Sequence, residues 1–239
     1  MQNEPGNPIK FSSEGEVEYV SHVGSDVSAI RAARVSTGKD LESKEFDVEK
    51  DGRLLSFLLR NGHWSPFEHS QVTFRVKAPI FIARQWMRHR SWVFNELSGR
   101  YAELPAEFWI PGEWYEQNPN RKQCAGKPIE SARRQARLMD LYEDSVRDCA
   151  YTYNTLLRAG VAREQARAVL PVSTYTHFYA TASLRSILHF LDLRLHPDAQ
   201  TEMMDYAAKV QDIVHDLFPR TLLAWFEQKW SLDGHTLSD

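Results

Sequence analysis

The sequence predicts an α+β fold in which a mixed or antiparallel sheet is packed with helices. Strand-like and helix-like segments follow one another without the regular alternation that a doubly wound parallel sheet requires. Residues 69–77 alternate Val72, Phe74 and Val76 against Gln71, Thr73 and Arg75, the period of a half-buried strand. No Gly-x-Gly-x-x-Gly turn and no Walker-type phosphate loop occurs, so any nucleotide must be held without a Rossmann turn. At 239 residues, 42% of them hydrophobic, the chain suits a single domain, residues 1–239, with a substantial core.

The elements follow in order. Residues 1–14 carry Pro5, Gly6 and Pro8 and read as a flexible leader. Residues 16–23 set Val17 and Tyr19 against Glu16 and Glu18, a strand. Asp26 stands before Val27, Ile30 and Ala33, which predicts a helix capped there and running to about 35. Leu54, Leu55, Phe57, Leu58 and Leu59 predict a buried helix over 53–60, stopped by Asn61-Gly62. Pro79 then opens a helix through Ile80, Phe81, Ala83, Trp86 and Met87 to about 89. The interval 109–128, rich in Pro, Gly, Asn and Gln, is a surface excursion rather than a domain boundary.

A long helix is predicted over 129–159, closed by Gly160, with Leu138, Leu141, Tyr142, Val146, Cys149, Tyr153, Leu156 and Leu157 as its apolar stripe. A short helix over 163–170 is stopped by Pro171. The β-branched and aromatic content of 172–181 favours a strand. Helices over 183–195 and 199–217 follow, with a last helical turn or two after Pro219. There is no internal repeat, and no apolar run approaches membrane-spanning length.

A formal net charge of −3 weighs against non-specific nucleic-acid binding, so clustered arginines point to a small anion instead. Cys124 and Cys149 show no paired spacing, and the N-terminus shows no signal-peptide pattern. A reduced, cytoplasmic protein is expected.

Chemistry concentrates in residues 88–101, where Arg88, His89, Arg90, Asn95, Glu96, Ser98 and Arg100 surround Gly99. So many hydrogen-bonding groups near a core are costly unless a ligand satisfies them. Guanidinium forks suit phosphate and carboxylate oxygens, and Gly99 lets backbone approach a ligand closely. Alone, an Arg-His-Arg triplet reads as an ordinary solvated helix end. A second cluster, His63-Trp64-Ser65-Pro66-Phe67-Glu68-His69, occupies the loop before the clearest strand. It lacks the ligand spacing of a zinc site, and no metal is expected. A third set comprises Arg167 before Pro171 and Ser183, Arg185, His189 and Arg194 on the helix after the last strand. Arg185 and His189, four apart, share a helix face, whereas Arg194 lies about half a turn round.

Arg-His-Arg followed by seven residues and Ser98, with Asn95-Glu96-Leu97-Ser98-Gly99-Arg100-Tyr101 around it, resembles the signature of the flavin-dependent thymidylate synthases. The His63 block and the order Arg167…Leu170-Pro171, Arg185-Ser186, Leu193-Arg194 resemble the same family. The resemblance implies that family's fold and the reductive methylation of dUMP to dTMP. It further implies FAD as cofactor, methylenetetrahydrofolate as carbon donor, NADPH as reductant, and a homotetramer with shared sites. Carried over by residue, it places Arg194 as the catalytic cation beside the uracil. Gln85, Arg88, Glu96, Leu97, Ser98, Gly99, Arg100, Arg167 and Arg194 then face dUMP. Ser65, Arg88, His89, Arg90, Asn95, Glu96, Ser183, Arg185 and His189 face FAD, and His63 and Tyr101 lie on the folate or nicotinamide side. The family often carries Asn at the positions of Ser183 and His189. Neither cysteine lies in these clusters, so Ser98 is the only nucleophile inside the main motif, and it has no adjacent base. Two other classes stand beside this reading: a nucleic-acid-binding module, and a catalytically silent flavin- or nucleotide-binding protein.

Overall fold

The computed structural model describes residues 8–38, 47–120 and 125–232. In chain order its strands are β1 (Lys10–Ser12), β2 (Glu16–Val23), β3 (Gln71–Pro79), β4 (Val93–Glu96), β5 (Glu107–Trp109), β6 (Tyr115–Gln117), β7 (Ala125–Pro128) and β8 (Tyr175–Ser183). Its α-helices are α1 (Asp26–Val35), α2 (Val48–Arg60), α3 (Ile80–Trp86), α4 (Ala132–Arg158), α5 (Arg163–Ala166), α6 (Leu184–Arg194), α7 (Thr201–Leu217) and α8 (Pro219–Leu232). The central sheet is antiparallel throughout, in the order β2-β3-β8-β4. The fold class read from the sequence is the one observed.

The period of two in β3 decides which sheet face is covered. Val72, Phe74 and Val76 are buried, and across the register Phe178, Ala180 and Ala182 of β8 are buried with them. Helices α1, α2, α3, α6, α7 and α8 supply the apolar side chains that join this face in one core. At its centre Trp86 stacks on Phe190 at 4.8 Å and meets Trp92 and Phe178 edge-on at 5.8 and 5.6 Å, the offset and T-shaped geometries aromatic quadrupoles favour. The opposite sheet face carries Thr73, Arg75, Tyr179 and Thr181 and is incompletely covered.

Three expectations change. Asp26 does not cap the helix it begins, because Ser25 occupies that position. The Asp26 carboxylate instead accepts from the Arg220 and Thr221 amides at 3.0 and 2.9 Å and from the Thr221 hydroxyl at 2.6 Å, capping α8. Residues 10–12 of the expected leader form β1, parallel to β5. Lys10 and the buried Lys77 both reach Glu107 at 2.9 Å, and the Tyr175 hydroxyl donates to the Ser12 carbonyl at 3.1 Å, so this segment is tied down. The last helix, expected as a turn or two, runs to Leu232 because Leu222, Ala224 and Trp225 are buried in the core.

The remaining expectations shift only at boundaries. β8 starts at Tyr175 rather than 172 because residues 171–174 form a turn, its Thr174 amide bonded to the Pro171 carbonyl at 3.0 Å. That turn offers the Val172 and Thr174 carbonyls to the Phe81 and Ile80 amides, satisfying orphan donors at the start of α3. The interval 109–128 contains β6 and β7, which pair antiparallel. Cys124 lies outside the described residues, and no described helix is long and apolar enough to cross a membrane.

Candidate active site

Three sets of polar side chains emerge from the fold. The first lies where the C-terminal ends of α3 and α6 meet. Arg194, half-buried in the last turn of α6, donates from Nε to Nε2 of His89 at 3.0 Å and from Nη2 to the Gln85 carbonyl at 3.1 Å. That carbonyl belongs to the last turn of α3, where carbonyls lack intrahelical partners and a cation is favoured. The Gln85 side chain in turn donates to the Gln200 carboxamide oxygen, just before α7. His89 lies edge-on to Phe190 at 5.0 Å and to His189 at 6.1 Å. Burial, with Arg194 and His189 adding repulsion, pushes its pKa down to about 4, so the ring is neutral and its Nε2 is free to accept. Burial also lowers the Arg194 pKa from its ordinary value, but a guanidinium starts so high that the charge persists.

The second set follows β4. The Leu97 amide donates to the His177 carbonyl at 2.8 Å, extending the ladder by one bond before the chain turns. Ser98 Oγ then accepts from the Arg100 amide at 3.3 Å. Glu96 accepts from the Thr176 hydroxyl at 2.9 Å. A Cβ on Gly99 would stand 3.0 Å from Arg167 Cδ and from Leu104 Cδ1. Gly99 is therefore a packing glycine that lets the Arg167 stem lie against the loop. Arg100 pairs with Glu164 at 3.6 Å and lies over the Tyr101 ring at 5.5 Å.

The third set gathers the His63 block beside α6. Ser65–His69 is a 3-10 turn whose Glu68 pairs with Arg185. Ser183 caps α6, its hydroxyl accepting from the Ser186 amide at 3.3 Å. His63 stacks on Phe57 at 5.8 Å and is exposed, as are Ser65, Arg185 and His189. Asn95 is exposed beside Tyr179 at the sheet edge.

The sequence-predicted residues thus fall into three groups: Gln85, His89, His189 and Arg194; Glu96, Leu97, Ser98, Gly99, Arg100 and Arg167; and Ser65, Ser183 and Arg185. Among the described residues no hydrogen bond, ion pair or ring contact joins the first group to the second. Arg84, Arg88, Arg90 and Arg167 are exposed, and their side chains make no hydrogen bond or ion pair with another described residue. Uncompensated guanidinium groups of this kind are available to phosphate or carboxylate oxygens. No described group of three or more His, Cys, Asp or Glu residues is placed to hold a metal ion. Gln200, Glu68, Thr176 and Glu164 were not legible as site residues. Gln200, Thr176 and Glu164 lie outside the motifs, Glu68 lies within the His63 block without an assigned role, and each reaches its partner only through the fold.

Comparison with known proteins supplies a family. The family model described as "Thymidylate synthase complementing protein" matches residues 18–220. A flavin-dependent thymidylate synthase of Thermosipho africanus is 43% identical over 218 residues, covering 91% of this chain and 93% of the relative. One of Thermotoga neapolitana is 43% identical over 225 residues, covering 94% and 97%. Among solved structures, the UMP/dUMP methylase PolB from Streptomyces cacaoi, bound with 5-Br dUMP, superposes with a TM-score of 0.83 at 37% identity, covering 92% of this chain and 97% of that one.

Proposed function

This chain belongs to the thymidylate synthase complementing protein family, the flavin-dependent thymidylate synthases, and we propose that it converts dUMP to dTMP by reductive methylation with FAD as redox cofactor. The observation that carries this reading is the state of Arg194. His89 and the Gln85 carbonyl take one edge of its guanidinium, leaving the other end of the fork without a hydrogen-bond partner among the described residues. Uracil resists electrophiles until electron density is pushed onto C5, and a planar cation at N3 and the carbonyl oxygens stabilises the anion that then develops. A lysine would offer a point charge without the fork.

The donor set fits a dinucleotide. Arg88 and Arg90 are exposed cations without a carboxylate partner among the described residues, able to meet diphosphate oxygens where no glycine-rich turn exists. Ser65, Asn95, Glu96, Ser183, Arg185 and His189 complete the proposed flavin contacts. When bound, FAD supplies the hydride that reduces the transferred carbon. Methylenetetrahydrofolate is the proposed carbon source and NADPH the reductant, with His63 and Tyr101, both exposed, on the side where they dock. Ser98, Gly99, Arg100, Arg167, Arg88 and Gln85 are assigned to holding dUMP, with Glu96 and Leu97 beside them. Ser98, whose hydroxyl meets no base among the described residues, positions the nucleotide without attacking it.

The proposed assembly is a homotetramer in which the Arg194 group of one copy faces the Ser98 group of another; among the described residues no hydrogen bond, ion pair or ring contact joins the two groups within one chain. A cytoplasmic setting, where reduced folates and NADPH are available, accompanies this reading.

Purified protein, expected to be yellow and to bleach with NADPH, should form dTMP from 5-deuterated dUMP with release of the label when methylenetetrahydrofolate is present. UMP serves as the competing substrate, because the matched protein is a UMP/dUMP methylase. Failure to bleach, or methylation of UMP in preference to dUMP, would defeat the assignment.

A further inference from the structure

We infer that His89 is a positioning residue for Arg194: its Nε2 and the Gln85 carbonyl clamp one edge of the guanidinium so that the opposite end is aimed at the pyrimidine. The inference rests on the reading of Arg194 given above and assigns the middle residue of the Arg-His-Arg triplet a task distinct from anion binding.

The two neighbours of His89 are exposed, but His89 is 7% exposed. The backbone explains the inversion. After α3 ends, the His89 amide bonds to the Trp86 carbonyl at 2.9 Å and the Trp92 amide to the His89 carbonyl at 3.1 Å, a tight turn. The alternation turns one ring inward against Phe190 while the flanking arginines project outward. A side chain so covered has almost no surface left for a flavin.

The hydrogen-bond bookkeeping then fixes a direction. A guanidinium has five N–H groups. Nε–H goes to His89 Nε2 at 3.0 Å and one Nη2–H to the Gln85 carbonyl at 3.1 Å, so a single edge of the fork is held by a rigid ring and a helix end. Of the three N–H groups that remain, one on each Nη nitrogen faces the other end, a pair suited to adjacent acceptors such as a uracil carbonyl and a deprotonated N3. An arginine without such anchors samples many rotamers, and each departure from the productive one lowers the rate rather than the affinity for the nucleotide as a whole. For His89 to accept, the ring must be neutral with its proton on Nδ1, which its buried setting between Arg194 and His189 enforces.

Three variants at position 89 separate anchoring from bulk. His89→Leu removes the acceptor, His89→Gln places a carboxamide oxygen near the Nε2 position, and His89→Asn leaves its oxygen short of it. Two readouts are needed. One is the exchange protection of the Arg194 Nε–H in the ligand-free protein, by NMR with Arg194→Ala identifying the signal. The other is kcat and KM for dUMP at measured flavin content.

His89→Leu and His89→Asn should lose the protected Nε–H and about ten- to a hundredfold in kcat, the range for a hydrogen bond to a charged group, while keeping flavin and changing KM less. His89→Gln should restore most of both. In an Arg194→Ala background His89→Leu should change the residual rate no further. Retained protection and kcat in His89→Leu would overturn the inference, as would flavin loss in both backgrounds, which marks a flavin contact. Should His89→Leu fail to fold, the contrast between His89→Gln and His89→Asn decides. A fully active Arg194→Ala would defeat the catalytic reading of Arg194 instead, while the ligand-free exchange data still report on the clamp.

Discussion

At the scale of single residues, the chemistry depends on keeping one imidazole uncharged next to a guanidinium. His89 sits against Arg194 and His189, both on α6, and burial is the largest force on it, so its pKa falls from 6.5 to about 4. That depression links to stability. Between pH 6.5 and about 4 the unfolded chain binds a proton at this ring that the folded chain refuses, so its contribution is complete above 6.5 and is lost as pH falls towards 4. The full difference is worth up to about 3 kcal/mol at 1.36 kcal/mol per unit. Thermal or urea unfolding at pH 7 and pH 4.5, at fixed protein and flavin concentration, should show the parent losing about 2 kcal/mol more than His89→Gln, which has no proton to gain. Equal losses in the two proteins would mean that the ring already titrates normally in the folded state. The sequence marks His89 only as part of a motif. Its inward turn depends on the loop after α3 and on Phe190, residues a hundred positions apart that only the fold brings together.

At the scale of elements, Asp26 shows where reading from the sequence succeeds and where it stops. An acidic residue before an apolar period is a helix-start signal, and a helix does begin there. The carboxylate nevertheless serves α8, 194 and 195 positions further on, where it meets two backbone amides and a hydroxyl. Local periodicity fixed α1, α2, β2 and β3 to within a few residues because each is decided by its own apolar spacing. It missed β1 and the full length of α8 because their partners, β5 and the core around Trp225, are remote in sequence. The same division holds at the candidate site: arginines announced themselves by motif, whereas Gln200 and Glu164, which lie outside every motif, did not.

Asp26→Ala should therefore behave as the loss of a buried cap. It leaves two amides and a hydroxyl without an acceptor, at a cost of about 2–4 kcal/mol. Ser25→Ala, at the exposed start of α1, should cost about 0.5–1 kcal/mol. A melt of Asp26→Ala indistinguishable from that of Ser25→Ala would show that α8 is held by its apolar face alone.

At the scale of the whole molecule, the exposed apolar surface of one copy bears on the proposed assembly with shared sites. Helix α4 is 27 residues long, but only Val146, Ala150 and Tyr153 of it are buried, and Leu141 in its apolar stripe is 64% exposed. Val93 at the sheet edge is 67% exposed, and Tyr179 beside the open face 48%. Fully covering one such aliphatic side chain is worth about 1.5–3 kcal/mol, so several together favour association with further copies. The chemistry points the same way. The clamped Arg194 and the Ser98–Arg167 group are both assigned to the nucleotide under the proposed function, yet among the described residues no hydrogen bond, ion pair or ring contact joins them, and Arg88 and Arg90 have no described carboxylate partner. If a neighbouring copy completes each site, flavin binding and assembly are thermodynamically linked, and each stabilises the other by mass action. Flavin-loaded protein diluted through a concentration series, followed by light scattering and visible absorbance together, should release FAD over the same range in which the assembly dissociates. Added FAD and dUMP should move both transitions to lower protein concentration by the same factor. A monomer that stays saturated with flavin would show that one chain suffices, and with it the shared-site proposal would fall.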